Sequence, residues 1–252
     1  MLAPHEVIDG YIGARARAGT LHSAHYVYPE DFDGSGTLAF NSSGPDNISG
    51  ARRKRRIEQW REAFPSLSAK HVVLAGPRLD QETFDAATKV KGLEILVVYQ
   101  SSIESIESIS NACSLVGARI RSSRKISSYT PLSELPNLRS LTLDNPKSLT
   151  SIDFVKSLPL LEDFSIFHTP DSWMLIDSLW PLRCLRHLQR VLVSGVKVSH
   201  DGLRPLYGLP LLENAQLSYV FKADEFAELV ASTPTLRHGS AFQKHLIAEY
   251  CD

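Results

Sequence analysis

The chain has 252 residues, 43% of them hydrophobic and 22% charged, a balance that suits a globular protein of one large or two small domains. With 27 Lys and Arg against 28 Asp and Glu, the formal net charge of −1 creates no overall field that would gather nucleic acid or an anionic membrane. Cys113, Cys184 and Cys251 are scattered and lack CxxC spacing, which argues against a disulfide framework or a zinc site and for a reducing compartment.

In chain order, "MLAPHEVIDGYIGARARAG" offers no apolar run for a secretory leader, and no later stretch approaches the roughly 18 apolar residues of a membrane span. The expectation is a soluble, cytoplasmic protein. Residues 1–63 read as an N-terminal capping region. Within it, "HYVYPEDFDGSGTLAFN" suggests two short strands, Tyr26 to Tyr28 and Thr37 to Phe40, joined as a hairpin. The loop places Asp31, Asp33, Ser35 and Gly36 at positions 1, 3, 5 and 6 of a calcium loop, but Ser42 stands where the bidentate Glu is needed. A plain turn is the preferred reading, with a weak calcium site as the alternative. His22-x-x-His25 has no Cys or carboxylate partner at a ligand spacing, so no metal and no cofactor is expected.

From Ala51 to Phe64 the spacing of Ile57, Trp60 and Phe64 predicts a helix with one apolar face. It carries Arg52-Arg53-Lys54-Arg55-Arg56. The simpler reading makes this run the solvated face of the helix. The other makes it a phosphate-contacting or nuclear-import patch on an effector or adaptor.

Beyond Phe64 a pattern recurs. Leu93-x-x-Leu96-x-Val98, Leu115-x-x-Ala118-x-Ile120, Leu138-x-x-Leu141-x-Leu143, Leu161-x-x-Phe164-x-Ile166, Leu188-x-x-Val191-x-Val193 and Leu212-x-x-Ala215-x-Leu217 share one phase. Weaker copies begin at Leu67, where Val72 is the only later anchor, and at Leu236. The steps are 22 to 27 residues, and an apolar residue followed by Pro often precedes the first Leu, as in Leu135-Pro136 and Leu158-Pro159. A unit this short cannot bury its own apolar face, so neighbouring units must stack. Between the strands, Asp80 is placed to cap a helix through Phe84 and Ala87, Ser102 one through Ile103, Ile106 and Ile109, and Asp224 one through Phe226 and Leu229. Pro205 indicates a short or 3-10 segment, and Cys113 reads as a core filler at the end of an apolar stripe.

With these copies in one phase, the chain resembles the leucine-rich repeat family over roughly Phe64 to Phe242, and among its members the bacterial intracellular ones with irregular repeats. The resemblance implies an α/β solenoid: a parallel sheet on the concave side, helical or 3-10 segments on the convex side, a hairpin-plus-helix cap before it and a C-terminal cap within residues 64–252. The Asn that the family carries after each strand is missing here: Ser101, Ser123, Pro146, Thr169, Val196 and Val220 occupy the places. Less regular turns are the expected consequence.

Alternation along each strand directs its third, fifth and seventh unit positions onto the concave face. Tyr99, Arg119, Arg121, Asp144, Asp163, Phe167, Arg190, Leu192, Gln216 and Phe242 therefore form the expected partner-binding set. Aromatic and Arg anchors suit a protein partner, and charges of both signs would orient it. The alternative is that these residues contact one another and only stabilise the sheet. No catalytic motif or phosphate loop occurs, so the expected function is non-catalytic protein binding. Its narrower form, by analogy with bacterial members of the family, is an immunity protein that neutralises a toxin. Neither a membrane nor a small-molecule substrate is expected, and nucleic acid only through the basic run.

Overall fold

The computed structural model describes residues 3–8, 26–34, 36–45, 48–121, 125–169 and 172–251. His22, His25, Ser35 and Ser123, named above, lie outside these. Among the described residues, nine strands form one parallel sheet in the order β1 (Thr37–Asn41), β2 (His71–Leu79), β3 (Ile95–Ser101), β4 (Gly117–Arg121), β5 (Ser140–Asp144), β6 (Asp163–Phe167), β8 (Arg190–Ser194), β10 (Asn214–Leu217) and β11 (His238–Gly239). Two further short strands, β7 (Met174–Ile176) and β9 (Val196–Val198), pair with each other in a second parallel ribbon.

The apolar anchors explain the register. Leu38, Val72, Leu96, Ala118, Leu141, Phe164, Val191, Ala215 and Gly239 pair in one continuous row across the sheet. Two residues further on, Phe40, Leu74, Val98, Ile120, Leu143, Ile166, Val193 and Leu217 make a second row. Both rows point into one core shared with Leu93, Leu115, Leu138, Leu161, Leu188 and Leu212, each essentially buried. A slip of one residue would turn every anchor to the other face, so burial itself holds the register. The unit assigned to Leu67 is corrected by two residues: Val72 and Leu74 are its anchors, and buried Ala69 stands at its first position.

The N-terminal region differs from expectation. Tyr26 to Tyr28 form no strand, and Thr37–Asn41 pairs in parallel with β2, so there is no hairpin. Leu38 and Phe40 already follow the anchor spacing, and joining the rows buries both of them in the shared core. The helix expected after them is α1 (Gly50–Ala63), with buried Ile57 and Trp60 on its inner face, and Phe64 buried just beyond its end. Its basic run is not wholly solvated. Arg56 is 1% exposed and donates from Nε to the carbonyl of Val27, from Nη1 to that of Asn41 (2.8 Å) and from Nη2 to that of Tyr26 (3.2 Å). Arg53 donates to the carbonyls of Ser43 and Ile48.

On the convex side α2 (Gln81–Ala87) is capped by Asp80, whose carboxylate accepts from the Thr83 amide at 3.1 Å. Ser102 caps no helix, because its hydroxyl donates to the Leu79 carbonyl and the segment beyond forms only a 3-10 turn, Glu107–Asn111. That unit is the shortest, at 22 residues. A 3-10 turn advances about 2.0 Å per residue against 1.5 Å for an α-helix, so it crosses the same width with fewer residues. Similar turns follow at Thr130–Glu134, Asp153–Ser157, Trp180–Cys184 and, around Pro205, Arg204–Leu206. In α3 (Ala223–Ser232) Asp224 lies within the first turn, and the Glu225 carboxylate instead reaches back to the amides of Lys222 and Leu203, each at 3.0 Å. Cys113 is exposed and fills no core.

Serine hydroxyls take over part of the work of the missing Asn. Ser42 accepts from the Arg78 amide, and Ser218 accepts from Gly195 and donates to the Val193 carbonyl. Past β11, Ser240 accepts from the Leu217 amide at 2.8 Å and donates to the Leu217 carbonyl at 2.7 Å, just after Gly239 turns the chain with φ +122°.

Candidate functional site

The concave face divides into three zones. In the first, Ile95, Val97 and Tyr99 are at most 3% exposed. They lie with Ala39, Val73 and Ala75 beneath the helical residues 4–8, where Ile8 is buried and Val7 packs against the group. Tyr99 is therefore not the solvent-facing anchor that its strand position suggested. The chain covers this apolar row with its own N-terminal segment, which no strand pattern announces.

In the middle zone the expected charges meet one another. Arg119 donates from Nε and Nη2 to one oxygen of Asp144, at 3.0 and 2.5 Å, and both side chains are about nine-tenths buried. Arg121 approaches the same carboxylate at 3.8 Å, and the Arg119 guanidinium lies 5.9 Å from the Phe167 ring centre. Asp163 accepts from the Ser165 hydroxyl and pairs with Arg190 at 3.1 Å. Arg119, Asp144 and Asp163 thus carry partners from adjacent strands and hold the sheet in register. The net field they would offer a partner is largely cancelled, which corrects the expectation of an orienting bipolar face.

The third zone is open. Phe167, Arg190, Leu192 and Gln216 remain partly exposed on β6, β8 and β10. Phe242 is 44% exposed but belongs to the 3-10 turn Ser240–Phe242, so it stands beside the sheet rather than on a concave strand. Where these strands end, the face runs into a groove of about 550 Å³ lined by His168, Ser172, Trp173, Ser194, Gly195, Ser218, Tyr219 and Tyr250.

The rim of this groove was missed in the sequence. Trp173, Leu175 and Tyr250 are 52%, 58% and 59% exposed. Along the ribbon Met174 and Ile176 turn inward, which turns Leu175 out and leaves Trp173 beside it, with the Lys197 ammonium 5.1 Å from the indole centre. Tyr250 lies 6.5 Å from Tyr219, ring centre to ring centre. The available signal was the 27-residue step of this unit, long enough to hold an extra strand. Inside the groove, burial and then the positive charge of Lys147 lower the His168 pKa below the ordinary histidine value, favouring the neutral ring. Its Nε2 pairs with the Ser172 hydroxyl at 3.1 Å, while its buried Nδ1 has no hydrogen-bond partner among the described residues. No group of three His, Cys, Asp or Glu side chains among the described residues is placed to hold a metal ion, and no helix there is long and apolar enough to cross a membrane.

Parallel strands on the concave side, short helical turns on the convex side and stacked leucine rows define a leucine-rich repeat solenoid. A leucine-rich repeat protein of Leptospira interrogans superposes with a TM-score of 0.53 at 14% identity, over 80% of this chain and 47% of that one. The mouse RP105/MD-1 complex gives a TM-score of 0.51 at 18% identity, over 81% of this chain and 38% of the matched one. The chain thus spans less than half the length of either, and the likeness is one of fold. Compared as a sequence, it matches no family model and no curated protein.

Proposed function

We propose that this chain is a protein-binding module that grips a partner protein with the open C-terminal part of its concave face and the adjoining aromatic groove. The observation that carries this is the exposure of Trp173 and Tyr250 in the groove that adjoins the strands of Phe167 and Leu192, with exposed Leu175 next along the ribbon. Large apolar side chains gathered at one exposed place are the usual anchors of an interface. Arg190, Gln216 and the groove serines supply the polar contacts that fix orientation. The matched RP105 structure is itself that of a complex with another protein, which supports the reading. The narrower role, an immunity protein that neutralises a toxin in the cytoplasm, is a special case in which the partner is that toxin.

The basic run is not proposed as the site, because Arg56 and Arg53 already serve the fold. The test is a native pull-down with the wild type beside Trp173→Ala and Leu192→Asp, followed by titration of the retained protein. Each variant should lose at least tenfold in affinity, about 1.4 kcal/mol, with an unchanged unfolding curve. Unaltered affinity in both folded variants removes this face from consideration. A retained toxin whose activity the wild type blocks establishes the narrower role.

A further inference from the structure

The covered zone of the concave face has features of a receptor in its own right. Its apolar residues, Val73, Ile95, Val97 and Tyr99 among them, form a cluster separate from the main core. The solenoid therefore closes its core without them, and their cover is an addition to the fold rather than part of it. Among the described residues the cover is residues 4–8, little more than one helical turn, capped where the Glu6 carboxylate accepts from the Ala3 amide at 2.7 Å. A helix so short has no stability of its own in water, so the seat is what orders it.

The seat is shaped for such a helix. Across the register row Ile95, Gly117, Ser140, Asp163 and Arg190, only Gly117 lacks a side chain. A Cβ there would stand 3.3 Å from both Pro4 Cβ and Ile8 Cδ1, so the missing side chain is the space into which the helix settles. The backbone at this position is ordinary for a strand, since its φ is not positive. The glycine is explained by close approach and not by conformation.

We infer that this zone is a docking site for a short amphipathic helix of a partner protein, one that presents apolar side chains at the relative positions of Pro4, Val7 and Ile8, and that the chain's own N-terminal helix is a displaceable plug in it. The occupant seen in place states the chemistry that fits: two or three small or branched apolar residues on one turn, with no charge directed at the sheet. Tethering gives the plug a high local concentration, so a partner helix must bind more tightly than it does, or the plug must first be drawn away. An unfilled seat would expose the apolar row to water, which is the physical reason for carrying a plug.

The test uses the full chain in three forms: wild type, Ile8→Asp to release the plug, and Ile8→Asp with Gly117→Leu to fill the seat. The probe is a fluorescein-labelled peptide copying residues 1–12, titrated to about 1 mM, the effective concentration of a short tether. The Ile8→Asp protein should bind it about tenfold more tightly than the wild type in fluorescence anisotropy, and the doubly substituted protein should lose that gain. Equal binding by wild type and Ile8→Asp, including no binding by either, overturns the inference, as does undiminished binding by the filled seat. If Gly117→Leu prevents folding, Ala39→Leu fills the seat from the neighbouring edge. Trp173→Ala should leave peptide binding unchanged, so failure of the open face and failure of this seat are told apart.

Discussion

Arg56 shows how much one side chain can decide. From sequence it was the last of five consecutive basic residues on a solvated helix face. In the structure its guanidinium ties α1 to the carbonyls of Tyr26, Val27 and Asn41, and lies 5.2 Å from the Phe40 ring centre. Five donors in a planar fork suit three divergent carbonyls, and a lysine ammonium does not. Arg56→Ala should therefore lose roughly 3 kcal/mol or more in urea unfolding, since three hydrogen bonds of a buried guanidinium are lost together with its packing, and Arg56→Lys should recover little of it. The position was illegible beforehand because a run of like charges gives no sign of which member turns inward. The helical period does contain the answer: Arg56 precedes Ile57 and lies one turn before Trp60, on the buried face.

At the scale of elements, the departures have a common physical origin. Strand order was read from nearness in sequence, which favours a hairpin, whereas β1 was recruited by its anchors into rows set by more distant units. The joint between β1 and β2 is also where pH should act. His71 begins β2 within 3.3 Å of the Thr37 hydroxyl, and burial lowers its pKa below the ordinary histidine value, with Glu94 opposing the shift and Lys70 reinforcing it. The unfolded chain takes up a proton near pH 6.5 while the folded chain resists it, so stability from this group is present above about pH 6.5 and is lost as pH falls below it. Urea midpoints measured across about pH 7.5 to 5.5 should fall for the wild type and fall less for His71→Gln. The helical elements were legible where a capping side chain does cap, as with Asp80 and α2, and not at Ser102, whose hydroxyl donates to the Leu79 carbonyl while Glu107–Asn111 forms a 3-10 turn.

For the molecule as a whole, the leucine phase was sufficient to predict a parallel solenoid, because each anchor must meet its counterpart in the next unit whatever lies between. The candidate site was legible only in part. Strand alternation identified concave positions, but not that Tyr99 is buried in a cluster with Ile8 or that Arg119 and Asp144 bind each other, since both depend on segments or rotamers outside the repeat. Nor could it show the rim formed by Trp173 and Leu175, which lie between the concave strands of successive units. A stack of units bound to nearest neighbours should answer to damage locally. Leu141→Ala, at a fully buried anchor, should cost about 2 to 5 kcal/mol, and amide exchange should quicken most in β4, β5 and β6 and least in β1 and β10. Uniform loss of protection would show that the stack unfolds as one unit.

Ser240 and Gly239 bear on a different matter, the length of the assembly. Parallel stacking has no natural end, and a bare last strand offers its amides and carbonyls to any extended chain it meets. Here the last strand is two residues long, and the hydroxyl that follows answers both the amide and the carbonyl of Leu217, as a strand neighbour would. At Gly239 a Cβ would fall 2.0 Å from the Ala215 carbonyl oxygen, so the glycine lets the backbone fold tightly over the edge it closes. The Ser240 hydroxyl thus occupies, at this edge, the hydrogen-bonding places that the next strand of the stack would take.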